Sequence, residues 1–266
     1  MAEELKPRTS ATNGPLWGAR PRDWSEIQEG VVRPAYAAVL ERLGIGAGTR
    51  YLDAGCGAGL AAQMAAARGA EVSGIDAAEA LLAIARMRTP KGDFRHGDLE
   101  ELPFADRSFD AVTGFNSFQY AANPVIALRE ARRVAKPGGK IAILTWGTPE
   151  GMEAVAVITA LRTVMPPPPP GAPGPFALSE EAALRRFAAD AGLNPGEILD
   201  IDSPMVYRDL ATALRGLGSS GVSARAMNHA GEQAVHDAHE KAITPYRQSD
   251  GSYKIGARFR CLFATP

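Results

Sequence analysis

The chain has 266 residues, 45% of them hydrophobic and 22% charged, enough apolar material for a sizeable core, which excludes global disorder. A formal net charge of -1 without a long basic block excludes a general nucleic-acid binder, whose affinity comes from neutralising phosphates. The opening MAEELKPRTS lacks the apolar centre of a secretory signal, and no run approaches the roughly 20 apolar residues of a membrane span. The two cysteines, Cys56 and Cys261, are too few for a disulfide framework, so a soluble cytoplasmic protein without a membrane partner is expected.

Residues 1–23, rich in Pro, Gly, Arg and polar groups, are expected to begin irregularly. Helical spacing runs from Trp24 to Leu43 with a bend at Pro34, and Gly44, Gly46 and Gly48 stop it. The pattern then alternates. Strands are predicted at Arg50–Ala54, Glu71–Ile75, Asp93–His96, Asp110–Phe115 and Lys140–Trp146, with helices at Leu60–Arg68, Ala78–Arg88 and Val125–Val134. This order implies a mostly parallel sheet covered by helices on both faces. A helix around Glu150–Val164 leads to a stiff connector, Pro166–Pro170 with Pro173 and Pro175. Ser179–Ala191 reads as a helix with Ser179 as its N-cap and Gly192 as its stop. Two last strands are expected at Glu197–Ile201 and Tyr253–Ala264. The segment between them holds helices Leu210–Leu217 and Glu232–Ile243 and is too long for a plain connection.

Tyr51-Leu52-Asp53-Ala54-Gly55-Cys56-Gly57-Ala58-Gly59 joins the first strand to the first of these helices. A loop at the carboxyl end of a parallel strand lies where α/β folds bind ligands, and glycine lets the backbone approach without a Cβ. The helix start beyond it offers free N–H groups. A tight strand-to-helix turn alone would also use glycines. The dinucleotide pattern G-x-G-x-x-G fails because Leu60 stands where its third glycine belongs, and a P-loop fails because no G-K-[ST] follows.

What remains, an acid followed by G-x-G-x-G, resembles the first motif of the class I S-adenosylmethionine-dependent methyltransferases. Three further segments in order strengthen the likeness: Val72–Asp76, His96–Phe104 and Arg132–Gly139. The flavour is that of the small-molecule enzymes which include the ubiquinone and menaquinone methyltransferases. The resemblance implies a Rossmann-like, doubly wound, mostly parallel seven-stranded α/β sheet. Residues 1–44 would be a helical cap and 45–266 the methyltransferase domain, with 205–250 as an inserted helical substrate lid. The implied cofactor is S-adenosylmethionine. Asp53, Gly55, Cys56, Gly57 and Gly59 would wrap its methionine half. Asp76, with Ala77 beside it, would grip the ribose hydroxyls, Leu81 would lie against adenine, and Asp98 and Leu99 would meet the adenine edge. Asp110 reads as a strand-start residue rather than a catalyst.

Methyl transfer from an activated sulfonium needs alignment more than a catalytic dyad. Enzymes that methylate amines of nucleic-acid bases carry an N/D-P-P-Y-like motif after the fourth strand. Here the sequence is Asn116-Ser117-Phe118-Gln119-Tyr120, so a small-molecule acceptor is expected and no nucleic-acid partner. Asn116 and Gln119 are the candidate positioning groups, with Asn116 able to bind the cofactor amine or cap a turn. His229 is the candidate auxiliary base. His96 reads as structural. His236 and His239, beside Asp237 and Glu240, read as a solvated helical face, and no metal is expected. Trp17, Trp24 and Tyr36, in the N-terminal region that folds over the cofactor in similar enzymes, are with Tyr120, Phe176 and Tyr207 the candidate substrate-binding residues. A homodimer is the assembly considered. Two alternatives stay open at this level: an NAD(P)-dependent oxidoreductase, and a non-catalytic cofactor-binding protein of the same fold.

Overall fold

The computed structural model describes residues 9–167 and 174–266. Seven strands, β1 (Arg50–Ala54), β2 (Glu71–Asp76), β3 (Asp93–His96), β4 (Phe109–Phe115), β5 (Ala135–Trp146), β6 (Asn194–Asp202) and β9 (Arg258–Thr265), form one sheet. Their order is β3-β2-β1-β4-β5-β9-β6. The β1–β5 pairings are parallel, while β9 runs antiparallel to both β5 and β6. A separate ribbon pairs β7 (Met205–Tyr207) with β8 (Tyr253–Ile255).

Four of the five residues of β1 are buried, as expected for a strand covered on both faces. Side-chain alternation sorts them. Tyr51 joins the core under helices Arg33–Leu43 and Leu60–Ala66, whereas Leu52 and Ala54 join the core under helices Pro124–Val134 and Glu181–Asp190. Asp53 therefore points to the first face, towards Tyr36. Reversal of the strand order between β1 and β4 opens the switch-point crevice at their carboxyl ends, where ligands of such sheets bind.

Several expectations are corrected. Residues Thr9–Trp17 are helical rather than irregular, and the chain from Pro21 to Val32 continues in short helical turns before helix Arg33–Leu43. Ser179 does not cap helix Glu181–Asp190; its hydroxyl donates to the Phe176 carbonyl, and the cap position is Glu180. Tyr253–Ala264 is not one strand. It breaks at Gly256 and Ala257, so its first part pairs with β7 and only the second enters the main sheet. The 205–250 segment holds a third helix, Gly221–Ala230, besides Leu210–Leu217 and Glu232–Ile243. Its caps are Asp209 Oδ1 accepting from Thr212 N and Ser220 Oγ accepting from Ser223 N, the side-chain oxygens that satisfy free helix amides. Residues 168–173 of the expected proline connector lie outside the described residues. Among the described residues no helix is long and apolar enough to cross a membrane.

Candidate active site

The three loop glycines all adopt positive φ, 81° at Gly55, 53° at Gly57 and 79° at Gly59. Their neighbours differ. A Cβ on Gly55 would stand 2.3 Å from Ser117 Cβ, and one on Gly59 would stand 2.7 Å from Ala85 Cβ. Those two glycines let the loop close against β4 and the helix Glu79–Arg88. A Cβ on Gly57 would instead meet Trp24 Nε1 at 3.3 Å and Glu29 Oε1 at 3.7 Å, groups brought by the N-terminal segment. Gly55 N and Cys56 N both donate to Ile75 O, at 2.8 and 3.0 Å, which pins the loop to β2.

Three carboxylates, Asp53, Asp76 and Glu29, flank this loop, and Asp98 follows β3. Asp76 accepts the Gly57 amide on one oxygen and the Ala78 amide on the other, each at 2.8 Å. It thus ties the loop to the start of the next helix, replacing the side-chain cap that Ala78 cannot supply. Asp98 accepts Glu100 N on Oδ1 and Ser10 N on Oδ2, both at 3.0 Å. Asp53 is 1% exposed; its Oδ1 accepts from Thr113 Oγ1 at 3.3 Å, and its Oδ2 has no hydrogen-bond partner among the described residues. Burial pushes its carboxyl up to about 8. Glu29, 2% exposed, accepts Leu60 N at 3.2 Å and pairs with Arg88. Burial raises its carboxyl despite that cation, because desolvation of the charged form outweighs the pairing.

The N-terminal segment lies across the crevice. Gly14 packs so closely that a Cβ there would stand 2.3 Å from Ala77 O, and Gly18 abuts Ala78 and Ala80. Trp17 and Trp24 meet edge to face at 5.1 Å and pack on Ala58, Ala78 and Leu81. Trp17 also meets Tyr120 at 5.3 Å and covers Gly221 of the 205–250 segment. Arg20 pairs with Glu232, Asp23 with Arg215, and Tyr207 donates to Gln28 Oε1. The N-terminal segment and the 205–250 segment are thus stitched into one cover.

After β4, Asn116 holds a positive φ of 51°, uncommon outside glycine, and its N–H donates to Leu144 O at 2.9 Å. Gln119 Nε2 donates to Asn116 Oδ1 at 3.1 Å, so the two candidate positioning groups act as a pair. Tyr36 is buried below the loop, its hydroxyl pushed well above the usual range by burial and by the neighbouring Glu29 and Asp53 charges. Asp110 accepts Arg50 N and Lys136 Nζ at the far end of its strand, a structural role.

Other candidates are not brought here. His229 is exposed on the last turn of helix Gly221–Ala230, with no polar contact to the crevice among the described residues. Tyr207 is fully buried, its hydroxyl committed to Gln28, and Phe176 packs on the core of the 205–250 segment rather than facing the crevice. His236 and His239 do not share a solvated face: His239 is buried, and desolvation lowers it to about 4. Among the described residues no three His, Cys, Asp or Glu side chains are grouped to hold a metal. Glu29, Arg88 and Ser10 escaped the sequence reading, because a lone Glu, Arg or Ser carries no spacing signal.

Two buried polar atoms beside the glycine loop lack partners, Asp53 Oδ2 and Trp24 Nε1. The Asp53 oxygen accepts once the carboxyl is ionised and the Trp24 N–H donates, complementary to the ammonium and carboxylate of an amino-acid moiety. With the positive-φ cradle, this donor set fits the methionine half of S-adenosylmethionine. Asp76 closes β2 and Asp98 follows the end of β3.

Comparison with known proteins agrees. A family profile described as a methyltransferase domain matches residues 52–143. The demethylmenaquinone methyltransferase of Renibacterium salmoninarum is 33% identical over 149 residues, covering 56% of this chain and 58% of the relative. The ubiquinone biosynthesis O-methyltransferase of Dechloromonas aromatica is 34% identical over 160 residues, covering 58% of this chain and 68% of the relative. Across the first relatives the chain spans about half their length, 58%, 49% and 54%. The YcgJ protein of Bacillus subtilis shares the fold at a TM-score of 0.57 and 20% identity, with 86% of this chain and 97% of that one covered. So does the [4+2]-cyclase SpnF, at 0.55 and 21%, covering 87% and 80%. The sheet order, the glycine loop and these relatives together place the chain in the class I S-adenosylmethionine-dependent methyltransferase family.

Proposed function

We propose that this protein binds S-adenosylmethionine in the β1–β4 crevice and transfers its methyl group to an O, N or C atom of a small molecule. The observation that carries this reading is the unpartnered Asp53 Oδ2 beneath a glycine loop that Asp76 ties in place. When bound, the cofactor supplies a methyl group already activated on a sulfonium. The protein's own groups orient and enclose. Asp76 and Asp98 hold the nucleoside end, Gly57 admits the backbone's close approach, and the Asn116–Gln119 pair faces the acceptor side. The stitched N-terminal and 205–250 segments form the cover that excludes water, with Trp17 and Tyr120 as its aromatic wall.

An oxidoreductase using a dinucleotide is disfavoured by Glu29. Its carboxylate occupies the Leu60 amide at the helix start, the place a pyrophosphate needs, and an anion there repels phosphate. The acceptor class is supported by the missing prolines after Asn116 and by relatives whose names refer to menaquinone and ubiquinone precursors. Calorimetry with S-adenosylmethionine and with NAD tests the cofactor, and mass spectrometry of a metabolite extract incubated with enzyme and cofactor tests transfer. NAD binding without adenosylmethionine binding would overturn the assignment.

A further inference from the structure

The rim of the sheet opposite the crevice holds a cavity of about 440 Å³. Arg50, Glu71, Asp93 and Phe109, the first residues of β1, β2, β3 and β4, line it together with Thr89 and Lys91. Thr89 is 8% exposed, and its hydroxyl has no hydrogen-bond partner among the described residues. A folded chain leaves such a buried hydroxyl unmet only at a cost in stability. The charges around it are largely uncommitted too. Asp93 is held by Arg95, whereas Arg50, Lys91 and Glu71 enter no ion pair among the described residues. The Arg50 guanidinium lies over the Phe109 ring at 5.9 Å, and Phe109 and Val72 are buried, so two free cations and one free carboxylate stand beside apolar side chains.

We infer that this cavity is a binding site for a small α-amino acid with an apolar side chain, separate from the cofactor crevice. Arg50 and Lys91 supply the cations that a carboxylate takes, and the Thr89 hydroxyl supplies a donor. Glu71 favours an ammonium, and so does the carboxyl end of helix Glu79–Arg88, which Thr89 terminates. The same negative groups disfavour phosphate, so charge complementarity selects a zwitterion over a polyanion. Val72 and Phe109 supply the apolar contact, and the volume falls within the range of small-molecule pockets. The site does not depend on what the crevice binds.

The test is titration calorimetry on the full chain with L-leucine, with isocaproate, which lacks the ammonium, and with isoamylamine, which lacks the carboxylate. Leucine should bind about tenfold or more tightly than either truncated probe. Arg50→Gln, Lys91→Gln and Glu71→Gln alter exposed side chains that the fold tolerates, and each should weaken leucine about fivefold. Thr89→Val should weaken leucine by a similar factor while keeping or raising the melting temperature, because it removes an unpaired hydroxyl and preserves shape. A merely structural threonine would leave the affinity unmoved. Saturating S-adenosylhomocysteine should not displace leucine. Displacement without any effect of the four substitutions would put leucine in the crevice and overturn the inference. Isocaproate binding as tightly as leucine would also overturn it, as would no binding of L-leucine, L-valine or L-phenylalanine at millimolar concentration. If S-adenosylhomocysteine itself does not bind, the cofactor reading fails, and the four substitutions still decide this site.

Discussion

The backbone amide of Ser10 donates to Asp98 Oδ2 at 3.0 Å, so the N-terminal helix engages the carboxylate proposed to meet the adenine edge. The helix lies on the nucleoside side of the crevice, seated by Gly14 against Ala77 and by Gly18 against Ala78 and Ala80. Only residues without bulk fit there. A cofactor donor that reaches Asp98 Oδ2 would compete with the Ser10 amide for that oxygen.

Gly14→Leu should keep the helix from docking, since its Cβ alone would stand 2.3 Å from the Ala77 carbonyl. Overpacking of this kind costs about 1–3 kcal/mol. Stopped-flow fluorescence of Trp17 and Trp24 should show faster cofactor association and faster release. An unchanged association rate would mean that the helix is no barrier to entry.

Arg88→Ala would leave Glu29 2% exposed and without its cation. Breaking such a pair costs about 3–5 kcal/mol, and the Ala58 carbonyl loses a donor as well. Urea unfolding should report that loss. Arg88→Ala combined with Glu29→Gln should recover part of it, because no buried charge then remains unpaired.

Asp76→Ala should weaken cofactor binding by about 2–4 kcal/mol, as charge-assisted hydrogen bonds to the ribose and the tether on Gly57 N vanish together. Asp98→Ala should cost about 1–2 kcal/mol, because one neutral donor is lost. Part of that cost is offset, since the Ser10 contact disappears too and the N-terminal helix competes less. Titration calorimetry of the folded variants measures both; two unchanged dissociation constants would refute the residue mapping.

Asp53 makes the ligand-free protein less stable as pH rises. Its carboxyl is raised to about 8 in the fold against 3.8 as a free side chain, so the folded state binds the extra proton. The resulting stabilisation is complete below the unfolded value and is lost as pH rises through the folded one. Melting temperatures should carry a falling contribution from Asp53 between about pH 4 and about pH 8 that levels off above about pH 8, and Asp53→Asn should remove it. Equal slopes would show that Asp53 does not titrate in that range.

His229→Ala should change turnover by less than the 10²–10⁴-fold, roughly, that removal of a general base produces. The side chain is exposed at a helix end and nothing desolvates it beside the crevice. A large drop restored at high pH would return His229 to the catalytic groups.

The sheet, the glycine loop and Asp76 were legible in the sequence because their signals are local. Strand alternation, helix period and turn chemistry act over a few residues, and β1 and β3 have the bounds their patterns predicted. The loop's purpose was only partly legible: Gly55 and Gly59 serve contacts with Ser117 and Ala85, which lie far along the chain. The acidic pair at Asp53 and Asp76 was readable as residues, but the unpartnered Oδ2 was not, since burial depends on what covers it. The split of the last strand was hidden as well, because Gly256 and Ala257 interrupt an apolar pattern that looks continuous.

The sequence by itself determined the sheet and the strand-to-helix loop, because backbone sterics and periodicity are properties of neighbouring residues. The cover and its charge were decided by tertiary structure alone. Ser10 meets Asp98 across 88 residues, Glu29 meets Arg88 across 59, and Tyr207 meets Gln28 across 179. No local pattern encodes such pairings. They exist because the parallel sheet brings the carboxyl ends of β1, β2 and β4 to one rim, and the two covering segments bury their apolar faces against it and each other.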